Sequence, residues 1–247
     1  MTDQLVITDI SKRFGGIVAN EAVSLSVPQG SITGLIGPNG SGKTTLFNSV
    51  VGHHPVDSGS ITFEGREITR MRVPEIARLG MIRTFQQTRI FGKMTCMQNM
   101  AISYADAGYG LMDLLRPVSG ETRDRAEALL DFCGLHSKRH LMAGDLSFGQ
   151  QKLLEFAMAL MIRPKMLLLD EPTAGINPTL INGLIERLQR ANENLGITLF
   201  VIEHNMRVIM NLAQNIHCLA YGQLLASGTP DEIRGDQRVI DAYLGGH

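Results

Sequence analysis

The 247-residue sequence carries almost no net charge, few cysteines and no long apolar run, and each shortage excludes something. A formal net charge of -1 at pH 7 supplies no global field to draw the chain onto nucleic acid or acidic lipid, so no nucleic-acid partner is expected. Cys96, Cys133 and Cys218 are odd in number, far apart and without CxxC spacing. That argues against a disulfide framework or a zinc site and suits a reducing compartment. Three small buried hydrophobes is the simplest reading. No stretch approaches the roughly 20 apolar residues that a bilayer span needs. The longest candidate, LLEFAMALMI, is short and interrupted by Glu155. The opening MTDQLVITDI has no basic region ahead of an apolar one and is not read as a signal peptide. Any membrane role has to run through a partner.

What is present fits a globular chain with a core: 44% hydrophobic and 19% charged residues. LVITDI, AVSLSV and SITFEG alternate as strands with one solvated face. SITGLIG (31–37), MLLLD (166–170) and ITLFVIEH (197–204) are nearly continuous apolar runs, the pattern of strands buried on both faces of a parallel sheet. Helical patterns lie between them, notably PTLINGLIERLQRANENLG (178–196), which predicts an α/β sheet with helices packed on it. The middle, from about Thr88 to Lys165, is Met-rich and mostly helical, with ETRDRAEALLDFCGL its clearest amphipathic piece and MDLLRPVSGETR a loop. The expected organisation is a core of 1–87 and 166–247 with a helical subdomain, 88–165, inserted. CLAYGQLLASGTP reads as a hairpin around Tyr221-Gly222, and PDEIRGDQRVIDAYLG as a short helical tail.

The strongest local signal is GPNGSGKTT, which satisfies G-x-x-x-x-G-K-[ST] after a buried strand and before an apolar helix. Gly37, Pro38, Asn39, Gly40, Ser41, Gly42, Lys43, Thr44 and Thr45 form this candidate phosphate loop. Its glycines let successive N–H groups point into one cavity, backed by a helix N-terminus. Lys43 can sit between β- and γ-phosphates, and the Thr44 hydroxyl can ligate Mg²⁺. In MLLLDEP two acids end a buried strand, a costly placement without partners or work. Asp170 is the candidate to hold Mg²⁺ through its water, and Glu171 to orient and deprotonate an attacking water. Gln86 and His204 close two further strand patterns. A Gln suits Mg²⁺ or water ligation, and a His suits a γ-phosphate contact. All these residues follow strands at the edge where open parallel sheets bind ligands. In DLSFGQQKLLEFAMAL, Ser147 and Gln150 form a capping box before an apolar helical pattern.

In this order the motifs resemble those of the ATP-binding cassette (ABC) ATPases over essentially the whole chain. GPNGSGKTT resembles Walker A, RTFQQ the Q-loop with Gln86, LSFGQQ the signature, MLLLDEP Walker B, AGIN (174–177) the D-loop, and His204 the switch histidine. Phe14 in SKRFGG stands where the family places an aromatic on adenine. The resemblance implies an α/β P-loop NTPase cassette: a RecA-like core, an antiparallel β-subdomain and an inserted helical subdomain. It implies ATP and Mg²⁺ as ligands, and a head-to-tail pair of subunits in which Ser147, Gly149 and Gln150 of one close over the ATP of the other. Phe148 departs from the usual signature glycine, so its ring must find an apolar place, and Asn177 departs from the usual D-loop Asp.

KRFGG, RTFQQTRIFGKMT, LSFGQQKLLEFAMAL, AGINP, IEHNM and GTPDEIR…VIDAYLG together resemble the ATPase subunits of bacterial branched-chain amino acid importers. That resemblance implies a second ATPase subunit of the same or a homologous chain, two multi-spanning membrane subunits, a periplasmic or extracellular substrate-binding protein, and a peripheral place on the cytoplasmic face of the cell membrane. Importers of other amino acids, amides or urea, a lipopolysaccharide exporter and an iron–sulfur assembly ATPase are the alternatives. Phe91, Met94, Met97, Met100 and Met112 are expected to line a groove for a short helix of a membrane subunit.

Overall fold

The computed structural model describes residues 2–84, 90–104 and 119–244. The chain divides into two compact units, one of Met1–Arg83, Lys165–Pro172 and Leu188–His247, the other of Thr84–Pro164 and Thr173–Arg187.

The first unit holds two sheets. β1 (Asp3–Phe14), β2 (Ile17–Pro28), β4 (Ser58–Phe63) and the two-residue β5 (Arg66–Glu67) form an antiparallel sheet in the order β2-β1-β4-β5. Its alternating pattern buries Leu5, Ile7, Ile10, Val23, Leu25, Val27, Ile61 and Phe63 on one side. β3 (Ile32–Ile36), β6 (Met81–Arg83), β7 (Met166–Asp170), β8 (Thr198–Ile202), β9 (Asn215–Ala220) and β10 (Gln223–Gly228) form the second sheet, ordered β10-β9-β3-β8-β7-β6. Every residue of β3, β7 and β8 is buried, as their unbroken apolar runs predict for central parallel strands. Only β10 runs antiparallel, turning back from β9 through Tyr221 and Gly222, both with positive φ (51° and 77°). α1 (Lys43–Val50), α2 (Val73–Arg78), α7 (Met206–Leu212), α8 (Pro230–Gly235) and α9 (Gln237–Leu244) also belong to this unit, as does the end of the long helix α6 (Pro178–Leu195) from Leu188 on. Phe47 of α1 meets Phe200 of β8 with ring centroids 4.8 Å apart, and both are fully buried. Truncating either to Ala costs about 3–5 kcal/mol.

His217 of β9 sits between Nδ1···Ser227 Oγ (2.7 Å) and Nε2···Ser26 O (2.9 Å). A carbonyl only accepts, so Nε2 carries the proton and Nδ1 accepts from the serine hydroxyl in the neutral ring. Burial lowers this imidazole below its ordinary value. The unfolded chain therefore binds more protons just below the usual histidine range, and stability falls as pH drops through that window. Comparing urea midpoints at pH 7.5 and 5.5, a His217→Asn variant is expected to lose less on acidification than the wild type.

The second unit is helical: α3 (Cys96–Ser103), α4 (Gly120–Phe132), α5 (Phe148–Met161) and the first half of α6 (Pro178–Leu195), with single 3₁₀ turns at His136–Lys138 and Ala143–Asp145. Caps set the helix starts: Thr95 with Gln98, Ser119 with Thr122, Ser147 with Gln150. Arg125 ends α5, donating to Leu160 O (2.6 Å) and Met161 O (3.0 Å). The buried Asn99 amide donates to Phe91, Met94 and Thr95 carbonyls and fixes the turn ahead of α3. Residues 173–187, grouped with the core in the sequence reading, join this unit because Ile176 and Leu180 pack on Gly149 at the start of α5. Of the expected groove residues, Phe91 is exposed, Met94 and Met97 are half-buried, Met100 is fully buried in the core, and Met112 lies outside the described residues, as does most of the expected MDLLRPVSGETR loop. Cys96, Cys133 and Cys218 are buried free thiols. Among the described residues no helix is long and apolar enough to cross a membrane.

Candidate nucleotide site

Strand register gathers the first unit's polar residues. Leu35 of β3 stands beside Ile202 of β8, and Ile202 beside Asp170 of β7, so the three parallel strands end at one level. The chain leaves β3 into Gly37, β7 into Glu171, and β8 into Glu203 and His204. This is the carboxyl edge of the sheet.

Residues 37–42 curl between β3 and α1. Gly37 (φ 147°) and Gly42 (φ 98°) are required twice over. A Cβ at Gly37 would lie 2.1 Å from Leu219 O, and one at Gly42 2.2 Å from Ala19 O. The neighbours that crowd the loop also hold it: Asn20 Nδ2 donates to Gly42 O (3.2 Å) and Gly222 N–H to Ser41 O (3.2 Å). Gly42 is also the N-cap of α1 and brings no side chain to cap it, and the first turn carries no acid. The leading N–H groups are thus left without a capping side chain or a carboxylate in their own turn, the arrangement that suits an anion. Ser41 and Lys43 are buried, while Thr44 is exposed and Thr45 partly so. The Lys43 ammonium donates to Gly37 O (2.8 Å), Pro38 O (3.0 Å) and Ser41 Oγ (3.4 Å), spanning its own loop. Burial lowers its pKa, and the charges of Glu171, Cys218 and Asp170 oppose that shift, which places both acids within electrostatic reach.

Asp170 is almost wholly buried, its side chain 1% exposed. One oxygen, Oδ2, accepts from Arg83 Nη2 at 2.6 Å, and Arg83 Nη1 donates to Asn48 Oδ1 at 2.5 Å. The guanidinium lies 5.9 Å from the Phe47 ring centre. Oδ1 of Asp170 is buried and has no hydrogen-bond partner among the described residues. Glu171 adopts φ 51°, a strained value for a residue with a long side chain. Its N–H donates to Ile202 O (2.9 Å), which ties the turn to β8. Its Oε1 lies 2.7 Å from His204 Nε2. Glu171 and His204 end separate strand patterns in the sequence, and the fold brings them into contact. Arg83 was missed. Its only signal was a cation inside a short strand pattern, three residues before the expected Gln86.

A cleft of about 430 Å³ opens over loop residues 37–41, with His204, Tyr221 and Tyr243 on its other side. Phe14 does not line it: the ring stands 45% exposed at the β1–β2 turn, edge-on to His54 and 5.3 Å from Lys12 Nζ. Gln86 lies outside the described residues.

Ser147, Gly149 and Gln150 belong to the helical unit. The Gln150 N–H donates to Ser147 Oγ (3.4 Å) and the Ser147 N–H to Gln150 Oε1 (3.1 Å), completing the capping box. Ser147 is exposed and Gly149 buried. The Phe148 ring does not bury itself: it stays 46% exposed, lying over Gly175 (φ 74°), close enough that a Cβ there would lie 2.9 Å from it, with Lys152 Nζ 5.8 Å from the ring centre. Asn177 accepts from Thr179 N–H and Oγ1 at the start of α6.

A family model for ABC transporters matches residues 20–174, well over half of the chain. This chain belongs to the ABC transporter family, among its ATPases. As an ABC ATPase it binds and hydrolyses ATP, and the α/β cassette fold expected from the motifs holds. A second model, described as branched-chain amino acid ATP-binding cassette transporter, matches the tail, residues 223–247. The high-affinity branched-chain amino acid transport ATP-binding protein LivG of Salmonella typhimurium is 37% identical over 248 residues, 98% of this chain and 97% of that protein. The probable LivG of Archaeoglobus fulgidus is 38% identical over 244 residues, covering 96% and 93% of the two chains. BraF of Pseudomonas aeruginosa is 36% identical, covering 98% and 97%. Among solved structures, the ADP conformation of an ATP-binding cassette of an ABC transporter superposes with a TM-score of 0.90 at 33% identity, covering 99% of this chain and 100% of that one.

Proposed function

We propose that this ABC ATPase powers uptake of branched-chain amino acids through a membrane transporter. The observation that carries the substrate is the tail match at residues 223–247, supported by near full-length likeness to LivG and BraF proteins. Loop residues 37–45 would hold the triphosphate, the Lys43 ammonium exchanging its loop carbonyls for phosphate oxygens. The buried Oδ1 of Asp170, unpartnered among the described residues, and the exposed Thr44 hydroxyl fit a hydrated Mg²⁺, with Gln86 as a further ligand. When bound, the ion neutralises charge on the β- and γ-phosphate oxygens. Glu171 takes the proton of the attacking water as its oxygen bonds to the γ-phosphorus and the bond to the β-phosphate oxygen breaks. His204 holds the carboxylate in place. Phe14 is offered to the adenine.

The helical unit, 88–165 with the D-loop segment, presents Ser147, Gly149 and Gln150 to the ATP of a second ABC ATPase subunit, the same chain or a homologue. The pair drives two multi-spanning membrane subunits from the cytoplasmic face of the cell membrane, fed by an extracytoplasmic binding protein. Exposed Phe91, with half-buried Met94 and Met97, receives a helix of a membrane subunit. The test is the mass of Glu171→Gln protein with and without ATP–Mg²⁺, alone and with its homologous ATPase. An ATP-dependent dimer is expected in one or both mixtures. Monomers throughout would remove the composite site.

A further inference from the structure

Gly37 is the first residue past the β3 ladder, whose last registered pair is Ile36 with Cys218 of β9. Its N–H finds an acceptor far away in sequence: the Tyr243 hydroxyl oxygen, 2.8 Å off, in the last turn of α9. The peptide has little freedom on its other side, where Leu219 O and Ser41 Oγ close in on the glycine Cα. Tyr243 in turn is set by its helix. Val239 and Ala242 are buried, and Asp236 ahead of the helix accepts from Arg238 N–H (2.9 Å) and its guanidinium. Burial pushes the Tyr243 phenol up to about 12, so the hydroxyl stays neutral at working pH. The ring walls the cleft over loop residues 37–41 on one side and an apolar hollow between α7, α8 and α9 on the other.

We propose that Tyr243 is a positioning residue for the phosphate loop. It fixes the height at which the loop leaves β3, so that nucleotide affinity depends on the docking of the C-terminal helix. Tyr243 need not touch the nucleotide, because it acts on the loop's first peptide, and the later amides and Lys43 do the gripping. The proposal rests on the phosphate-loop reading of residues 37–45. It goes beyond that reading by making the tail part of the site.

Tyr243→Phe keeps the ring and its packing and removes only the acceptor. Titrating full-length protein with Mg-ADP and with Mg-ATP, the dissociation constants are expected to rise about tenfold together, because the loop grips the β-phosphate that both share. The melting temperature is expected to stay within a few degrees of the wild type. Unchanged dissociation constants would overturn the proposal, whether or not the melting temperature falls, since a purely structural tyrosine would move stability alone. Wild-type protein and Lys43→Ala serve as references. A wild type that bound neither nucleotide would overturn the phosphate-loop reading, and this proposal with it. A wild type that binds, a Lys43→Ala that does not, and an unchanged Tyr243→Phe would overturn this proposal only.

Discussion

Glu171→Gln is expected to bind ATP as tightly as the wild type and to hydrolyse it about 10²–10⁴-fold more slowly. The amide matches the carboxylate in size and can still accept from His204 Nε2, which lies 2.7 Å from Oε1 in the wild type. What it cannot do is take up a proton. The loss converts to roughly 3–5 kcal/mol of transition-state stabilisation. The backbone supports reading the defect as chemical. Glu171 already sits at φ 51°, held by its N–H to Ile202 O, and the substitution asks for no new backbone conformation. Single-turnover hydrolysis beside equilibrium nucleotide binding separates the two effects. Equal hydrolysis rates for variant and wild type would take the base role from Glu171. His204→Ala is expected to show a milder loss in the same assay, because it removes the orienting contact and leaves the carboxylate.

Arg83→Ala is expected to destabilise the fold by about 3–5 kcal/mol, because it strands a buried carboxylate. Asp170 and Arg83 have side chains only 1% and 9% exposed, and the guanidinium also bonds Asn48 and faces Phe47. For a chain of this size the loss amounts to a fall of roughly 10 °C in melting temperature. The penalty belongs to the orphaned charge and not to the missing contact, so Asp170→Asn added to Arg83→Ala should recover most of it. Calorimetric melts of the two single variants and the double complete that cycle. A double variant as unstable as the sum of its parts would mean that the pair is not coupled.

The two outcomes differ in how far the sequence foretells them. Glu171 was legible because a buried apolar run ended in two acids, a placement chemistry rarely tolerates without a reason. Residues 37–45 were legible from the G-x-x-x-x-G-K-[ST] pattern and His204 from its place at the end of an apolar run, and the ends of β3, β7 and β8 do meet at one level. Arg83 was not legible. Its meaning depends on β6 lying beside β7, with Arg83 in register with Leu168, and strand order is not written in either strand. Tyr243 was hidden for a related reason: a tail helix announces its amphipathic face but not the distant peptide its hydroxyl will meet. Phe148 shows a third limit. The departure from the signature pattern was plain, but the ring's resting place over Gly175 required the fold of residues 173–187 onto the helical unit. That segment is also where the expected domain boundary differed from the observed one.

The position of β3 has a consequence for how the protein is born. β3 is made early, yet both of its partners, β8 and β9, come from the last third of the chain. A ribosome adding roughly 5–20 residues per second needs about 10–40 s to travel from Ile36 to Cys218. For that interval β3 has neither neighbour, and the wedge that Leu219 makes against Gly37 does not exist. The nascent chain can complete its β1–β2–β4 sheet first, since all of those strands are already out. The phosphate loop, although encoded near the beginning, is among the last parts of the molecule to take shape.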